Sequence, residues 1–350
     1  MKFVAPKAKY YGGIDLHAKM MTIRILDRSG RTVTSQKISC SREELLDCLK
    51  PYRDDLVLGL ESTFNWYWVA DLCEKEGIAL YLGHALYMKH IHGGKSKNDV
   101  IDAKKIAHLL RTGYFPVAYA YPQEMRATRD LLRRRHYLSR LRSGKYTHLK
   151  NMLYQEGNST FAPSLPKRKR ARATLAENFE YQTTGFIAQK DIELIELLDK
   201  QIDQIERVVI KEAQSHDPAS LQLLKSVPGM GDILALTILY ETHVVDRFRN
   251  VGAFCSYARV VKCEFTSNGK PVGVGNEFIG NSTLKWAFSL LVTCALNWSE
   301  PIKQYHTKLK DRHGAARSLA RLRHQFAVAV FFMLKNKEPF DEQRFLSRCA

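Results

Sequence analysis

The 350-residue sequence predicts an α/β domain followed by a mostly helical remainder. Three observations carry that prediction. Runs of β-branched and large apolar residues crowd the first forty positions. Strand and helix patterns then alternate up to about residue 110. Beyond about 122 the apolar spacing turns helical and stays so.

Taken in order, the elements begin with a β-meander. Tyr11–Leu16 is a short apolar strand and Met20–Leu26 a second; Asp27-Arg-Ser-Gly30 is a turn signal, and Thr32–Ile38 alternates as a third strand. Ser41-Arg-Glu-Glu44 is a capping box that opens a helix through about Leu49. Leu56–Leu60 reads as a buried strand, a helix follows near Phe64–Glu76, and Ile78–Gly83 is a further strand. Residues 95–110, KSKNDVIDAKKIAHLL, read as a helix. A meander followed by helix, strand, helix, strand and helix is the order of a ribonuclease-H-like α/β domain, set at 1–121.

A helical region is expected over 122–215. Between Arg126 and Arg172 it holds fourteen Lys or Arg against two acids, Asp130 and Glu156. Pro163 and Pro166 interrupt it, so a loop is expected to carry Lys167, Arg168, Lys169 and Arg170. Ile195, Leu198, Ile202, Ile205 and Val209 step by three and four, a coiled-coil-like seam that suits a helical hairpin, a dimer contact or ordinary packing on its own domain. The third region, 216–350, opens with Val227-Pro-Gly-Met-Gly231, a turn into a helix N-terminus whose N–H groups could meet a phosphate. Ser318–Lys335 is a strongly apolar helix expected to close the core.

Composition narrows the function. Lys and Arg exceed Asp and Glu by 18, which points to a polyanion, most simply nucleic acid, with an anionic membrane surface the weaker partner. No secretory leader and no membrane-spanning run is present in the sequence. Seven scattered cysteines without a Cys-x-x-Cys pair read as reduced thiols of a cytoplasmic protein without a zinc site.

Four acids carry the chemistry. Asp15 and Glu61 stand where apolar strand runs stop, and strand ends are where α/β sites are built. Asp99 and Asp102 share one helix face, their Cβ atoms roughly 5–6 Å apart. Such a quartet repels itself unless a cation joins it, and oxygen-only ligands select Mg²⁺ or Mn²⁺. Two such ions could clamp the attacking and leaving oxygens of a phosphoryl transfer. Lys95, Lys97, Lys104 and Lys105 then suit a substrate backbone, as do Arg133, Arg134, Arg135, the 167–170 run and Lys270.

Gly-Ile-Asp15, Leu-Glu61-Ser-Thr-x-x-x-Tyr-Trp and Lys-x-Asp99-x-x-Asp102-Ala resemble the Asp-Glu-Asp-Asp motif of the Piv-like insertion-sequence transposases, the bridge-RNA recombinases. The likeness continues through Ser226-Val-Pro-Gly-Met-Gly231, Arg247-Phe248, Gly280-Asn281, Leu284-Lys-Trp286 and Met333-Leu-Lys-x-x-x-Pro-Phe-Asp341. The resemblance implies a RuvC-like first domain, a C-terminal transposase domain and a serine nucleophile. That serine falls within Phe265-Thr-Ser267-Asn-Gly-Lys270, where Asn268 intervenes before Gly269. Thr266 and Ser267 both fit the register, and the small-then-basic Gly269-Lys270 favours Ser267. The resemblance also implies donor and target DNA, a noncoding bridge RNA and a homo-oligomer, dimer or tetramer, as partners. Two other functions compete with a recombinase acting through a phosphoserine intermediate. One is a RuvC-like Mg²⁺-dependent endonuclease that uses water; the other is a non-catalytic nucleic-acid binder.

Overall fold

The expected meander forms in the computed structural model, which describes residues 2–91, 98–157, 172, 174–261, 264–274 and 279–347. After a short β1 (Phe3–Val4) come β2 (Tyr10–Leu16), β3 (Met20–Asp27) and β4 (Thr32–Ser39). Helix α1 (Arg42–Leu49) starts where the capping box places it, Ser41 accepting from the Glu44 N–H. The Glu44 carboxylate bonds Ser39 rather than closing the box on Ser41. Then follow β5 (Leu56–Glu61), α2 (Tyr67–Lys75), β6 (Ala79–Gly83), α3 (Ala85–Ile91), α4 (Asp99–Thr112) and β7 (Phe115–Pro116), the last pairing with β1.

Strand order in the sheet is β4-β3-β2-β5-β6. β2, β3 and β4 are antiparallel neighbours, while β5 and β6 run parallel to β2. This is the α/β arrangement expected of the first region. Ile14, Ile23, Leu58 and Leu60 pack with Leu45, Leu49, Val69 and Leu72 of α1 and α2 on one face. Tyr11 and Val57 pack with Ile106, Leu110 and Phe115 on the other, which α4 covers. These elements form one compact unit, Met1–Glu124; the second unit is Met125–Ala350.

The remainder is mostly helical, as expected. Helix α5 (Gln123–Gln155) and α6 (Gln182–His216) make an antiparallel hairpin. Leu198 and Ile202 of the predicted seam meet Leu138, and Ile195 joins Leu149 and Met152 in one cluster. The seam is therefore used inside the chain. Arg135–Glu206 at 2.7 Å, Arg142–Asp199 at 2.5 Å and Lys145–Asp191 at 2.8 Å bridge the same two helices. The middle and C-terminal regions, separate in the sequence reading, share the second unit. Its C-terminal part holds α7 (Pro218–Lys225), α8 (Asp232–Thr242), α9 (Val251–Tyr257), the β8–β9 hairpin (Glu264–Ser267, Lys270–Val274), α10 (Ser282–Trp298), α11 (Glu300–His313), α12 (Ala315–Asn336) and α13 (Glu342–Ser347). Phe326, Val330 and Phe331 of α12 lie in its core with Phe254, Phe288 and Leu291. No described helix is long and apolar enough to cross a membrane.

Candidate active site

Register and two glycines place the acids. Gly13 on β2 pairs with Gly59 on β5, and Ile14 with Leu60. A Cβ at Gly13 would fall 2.0 Å from the Ala103 carbonyl oxygen, and one at Gly59 within 2.9 Å of Ile106. Both glycines thus face α4 and let it lie close against the sheet. Side chains alternate along a strand, so Asp15 and Glu61, two residues further on, share that face at adjacent strand ends. Asp99 and Asp102 occupy the first turn of α4, after Asn98, whose side chain caps the helix by accepting from Val100.

Asp15 and Asp99 come together around a residue that the sequence reading passed over. His17 Nε2 lies 3.3 Å from Asp15 Oδ2 and 3.4 Å from Asp99 Oδ1, and the three ligand atoms all lie within 4.8 Å of one another. The signal was the spacing Asp15-Leu-His17, two residues apart at a strand end. Cross-strand pairing sets Asp15, Thr22 and Lys37 in one row, and Lys37 Nζ reaches Asp99 Oδ2 at 3.4 Å. Lys105 Nζ is 3.3 Å from Asp102 Oδ1.

The electrostatics follow. Only 14% of the Asp15 side chain is exposed, and its burial raises the carboxyl above its ordinary value. His17 pulls it down, while the Asp99 and Asp102 charges push it up. Asp99 is held below the usual range, first by its Lys37 hydrogen bond. Glu61 and Asp102 lie outside the tight Asp15–His17–Asp99 group.

The donor set fits a divalent ion. A half-buried carboxyl such as Asp15, whose proton affinity is raised by burial and by the Asp99 and Asp102 charges, gains from a hard cation. Thr22 Oγ1, buried beside Asp15 in register, has no hydrogen-bond partner among the described residues. A hydrated ion next to Asp15 would satisfy it.

Ser267 belongs to the second unit and ends β8, paired with Lys270 across a two-residue turn. Asn268 and Gly269 both have positive φ, 50° and 74°, which is a type I′ hairpin. The inserted Asn268 is therefore half of an Asn-Gly turn, a signal legible in the sequence but not used. Ser267 and Lys270 are exposed; the Thr266 side chain lies outside the described set.

The expected nucleic-acid residues divide. Lys95, Lys97, Lys167, Arg168, Lys169 and Arg170 lie outside the described residues. Lys104 and Arg134 are exposed, the latter 5.3 Å over the Tyr137 ring. Arg135 pairs with Glu206, and Arg133 with Glu241 at 2.6 Å. Glu241 has 1% of its side chain exposed and also accepts from Arg129 at 2.8 Å and from Asn281 at 2.7 Å. Burial works to raise its carboxyl, but these donors outweigh it and hold the group below its usual value. At the Gly229-Met-Gly231 turn, Asp232 of the first helical turn pairs with Lys225 at 2.6 Å.

Two family models match the chain. One, a transposase model of the DEDD IS110 type, covers residues 12–157 and so spans all four acids. The other, described as the transposase IS116/IS110/IS902 family, covers residues 221–307, including Ser267. A search of curated proteins gave no match.

Proposed function

The chain belongs to the IS110 family of DEDD transposases, and we propose that it cuts and rejoins DNA through a covalent phosphoserine intermediate. It is a DNA-processing enzyme of an insertion sequence. The observation that carries the proposal is the gathering of Asp15, Asp99 and Asp102 at one end of the sheet, with Glu61 at the neighbouring strand end.

In this reading Asp15, Glu61, Asp99 and Asp102 hold Mg²⁺ or Mn²⁺. When bound, the ions neutralise charge on the attacking and departing oxygens of a phosphodiester. The Ser267 hydroxyl attacks phosphorus. A serine O–P bond forms, one P–O bond to DNA breaks, and the serine's proton ends on the departing DNA hydroxyl. The energy of the phosphodiester is kept in the linkage. A hydroxyl of a second strand then attacks the phosphoserine, restoring Ser267 and sealing the new joint. Ser267, exposed at the tip of a tight hairpin, suits this role. Gly269 at the same tip has nothing within 4 Å of where a Cβ would stand.

Donor and target DNA, a noncoding bridge RNA and a second copy of the chain are the partners in this reading, with the work done in the cytoplasm. The aromatic rings of Tyr154, Tyr181 and Phe186, exposed near the end of α5 and the start of α6, offer stacking surfaces for unpaired bases. Lys150 and Lys190 lie 5.3 Å and 5.2 Å over two of those rings.

The second reading is water-driven cleavage by the acids alone. What favours it is that acids and serine belong to different compact units. One experiment separates the two. Protein, the element's RNA and end-labelled DNA are incubated with Mg²⁺ and denatured. A labelled protein adduct supports the recombinase, and free cut DNA without adduct supports the nuclease.

A further inference from the structure

His17 is anchored more firmly than a surface histidine requires. Its N–H donates to the Met20 carbonyl at 3.1 Å. Its carbonyl accepts from Asn65 Nδ2 at 2.8 Å and from Cys40 Sγ at 3.3 Å. Three separate segments thus fix the main chain of one residue at the mouth of the acid cluster. More than half of the side chain is exposed (56%), so burial does not explain the anchoring.

The ring nitrogen stands where a ligand would stand. Donors ~2.1 Å from one octahedral ion are about 3 Å apart when adjacent and about 4.2 Å when opposite. Nε2 is 3.3 Å from Asp15 and 3.4 Å from Asp99. Asp102 and Glu61, by contrast, have only oxygen to offer. Imidazole nitrogen suits first-row transition ions, whereas Mg²⁺ strongly prefers oxygen.

We infer that His17 is a nitrogen ligand at one of two inequivalent ion positions: an Asp15–His17–Asp99 position that prefers Mn²⁺ over Mg²⁺, beside an oxygen-only position. The inference rests on the carboxylate centre proposed above. The competing role for His17 is a counter-cation that steadies two carboxylates and leaves when the ion arrives. The two roles differ in whether nitrogen touches the metal.

Electron spin-echo spectroscopy of Mn²⁺ bound to the full chain reads that contact directly, without nucleic acid and without turnover. The wild-type protein is expected to show nitrogen-14 modulation that disappears in His17→Ala and His17→Gln. Mn²⁺ affinity should fall at least about tenfold in both variants, while Mg²⁺ affinity changes less than about threefold. Bound Mn²⁺ without nitrogen modulation in the wild type, or modulation that survives both substitutions, overturns the inference while leaving the carboxylate centre intact. Should neither ion bind the wild type, and Asp99→Asn change nothing, the carboxylate centre itself fails. Absence of nitrogen modulation in the wild type overturns the inference even if a variant folds poorly.

Discussion

Gly13 and Gly59 are register partners on parallel strands, and a side chain at either would run into α4, the helix that carries Asp99 and Asp102. Distance between helix and sheet is therefore set by two missing methyl groups. At Gly13 the obstacle is backbone, the Ala103 carbonyl and the Ala107 nitrogen. At Gly59 it is side chains of Leu110, Ile106 and Phe115. Gly13→Ala should cost at least about 1–3 kcal/mol and weaken divalent-ion binding, with Gly59→Ala milder on both. Thermal unfolding and Mn²⁺ titration check the order; equal effects would mean α4 shifts freely.

Asp99→Asn and Asp102→Asn should each abolish DNA strand cleavage and leave nucleic-acid affinity equal or higher, since a negative charge near phosphate is lost. Gel-based cleavage and equilibrium binding measure the two effects separately. Full cleavage by both variants would make these aspartates surface residues without a catalytic role.

Ser267→Ala should stop adduct formation and recombination with the fold intact, and Thr266→Ala should retain substantial activity. Both are scored on denaturing gels after incubation with labelled DNA. The reverse result would shift the nucleophile by one residue along β8. In Gly269→Val, a β-branched residue takes on the turn's positive φ, so adduct yield should drop although the serine is untouched.

Glu241→Gln leaves the nearly buried Arg129 without its counter-charge and takes the partner of the half-exposed Arg133, which should cost the second unit about 3 kcal/mol. Its folded carboxyl titrates below the ordinary value. The stabilisation is therefore fully present above about pH 4.3, where an unfolded glutamate ionises, and is lost as pH falls through the lower folded value. The substitution should flatten the acid limb of the stability curve. An acid limb unchanged in Glu241→Gln would show that other carboxylates govern acid unfolding.

Replacing Lys167, Arg168, Lys169 and Arg170 with glutamine should weaken nucleic-acid binding on every sequence. Each phosphate contact removed should reduce the log–log salt slope by about 0.7–0.9. Arg133→Gln should act chiefly on folding, because its guanidinium is paired with Glu241. A large slope change from Arg133→Gln and none from the 167–170 run would invert this assignment.

The sequence by itself determined the strands, most helices and where along those elements the four acids stand. Those rest on local rules: apolar runs in β2 and β3, alternation in β4, the capping Ser41, and the i, i+3 spacing of Asp99 and Asp102. The Asn268-Gly269 turn was equally local and could have been read. What only the tertiary structure decided are pairings between distant positions. His17 meets Asp99 because the turn after β2 and the first turn of α4 arrive at one sheet end. Arg133 meets Glu241, 108 residues away, because the hairpin helix α5 packs beside α8. Periodicity tells a residue which face of its own element it occupies. It holds no information about which other element will cover that face, and that choice is made by how whole surfaces fit when apolar area is buried.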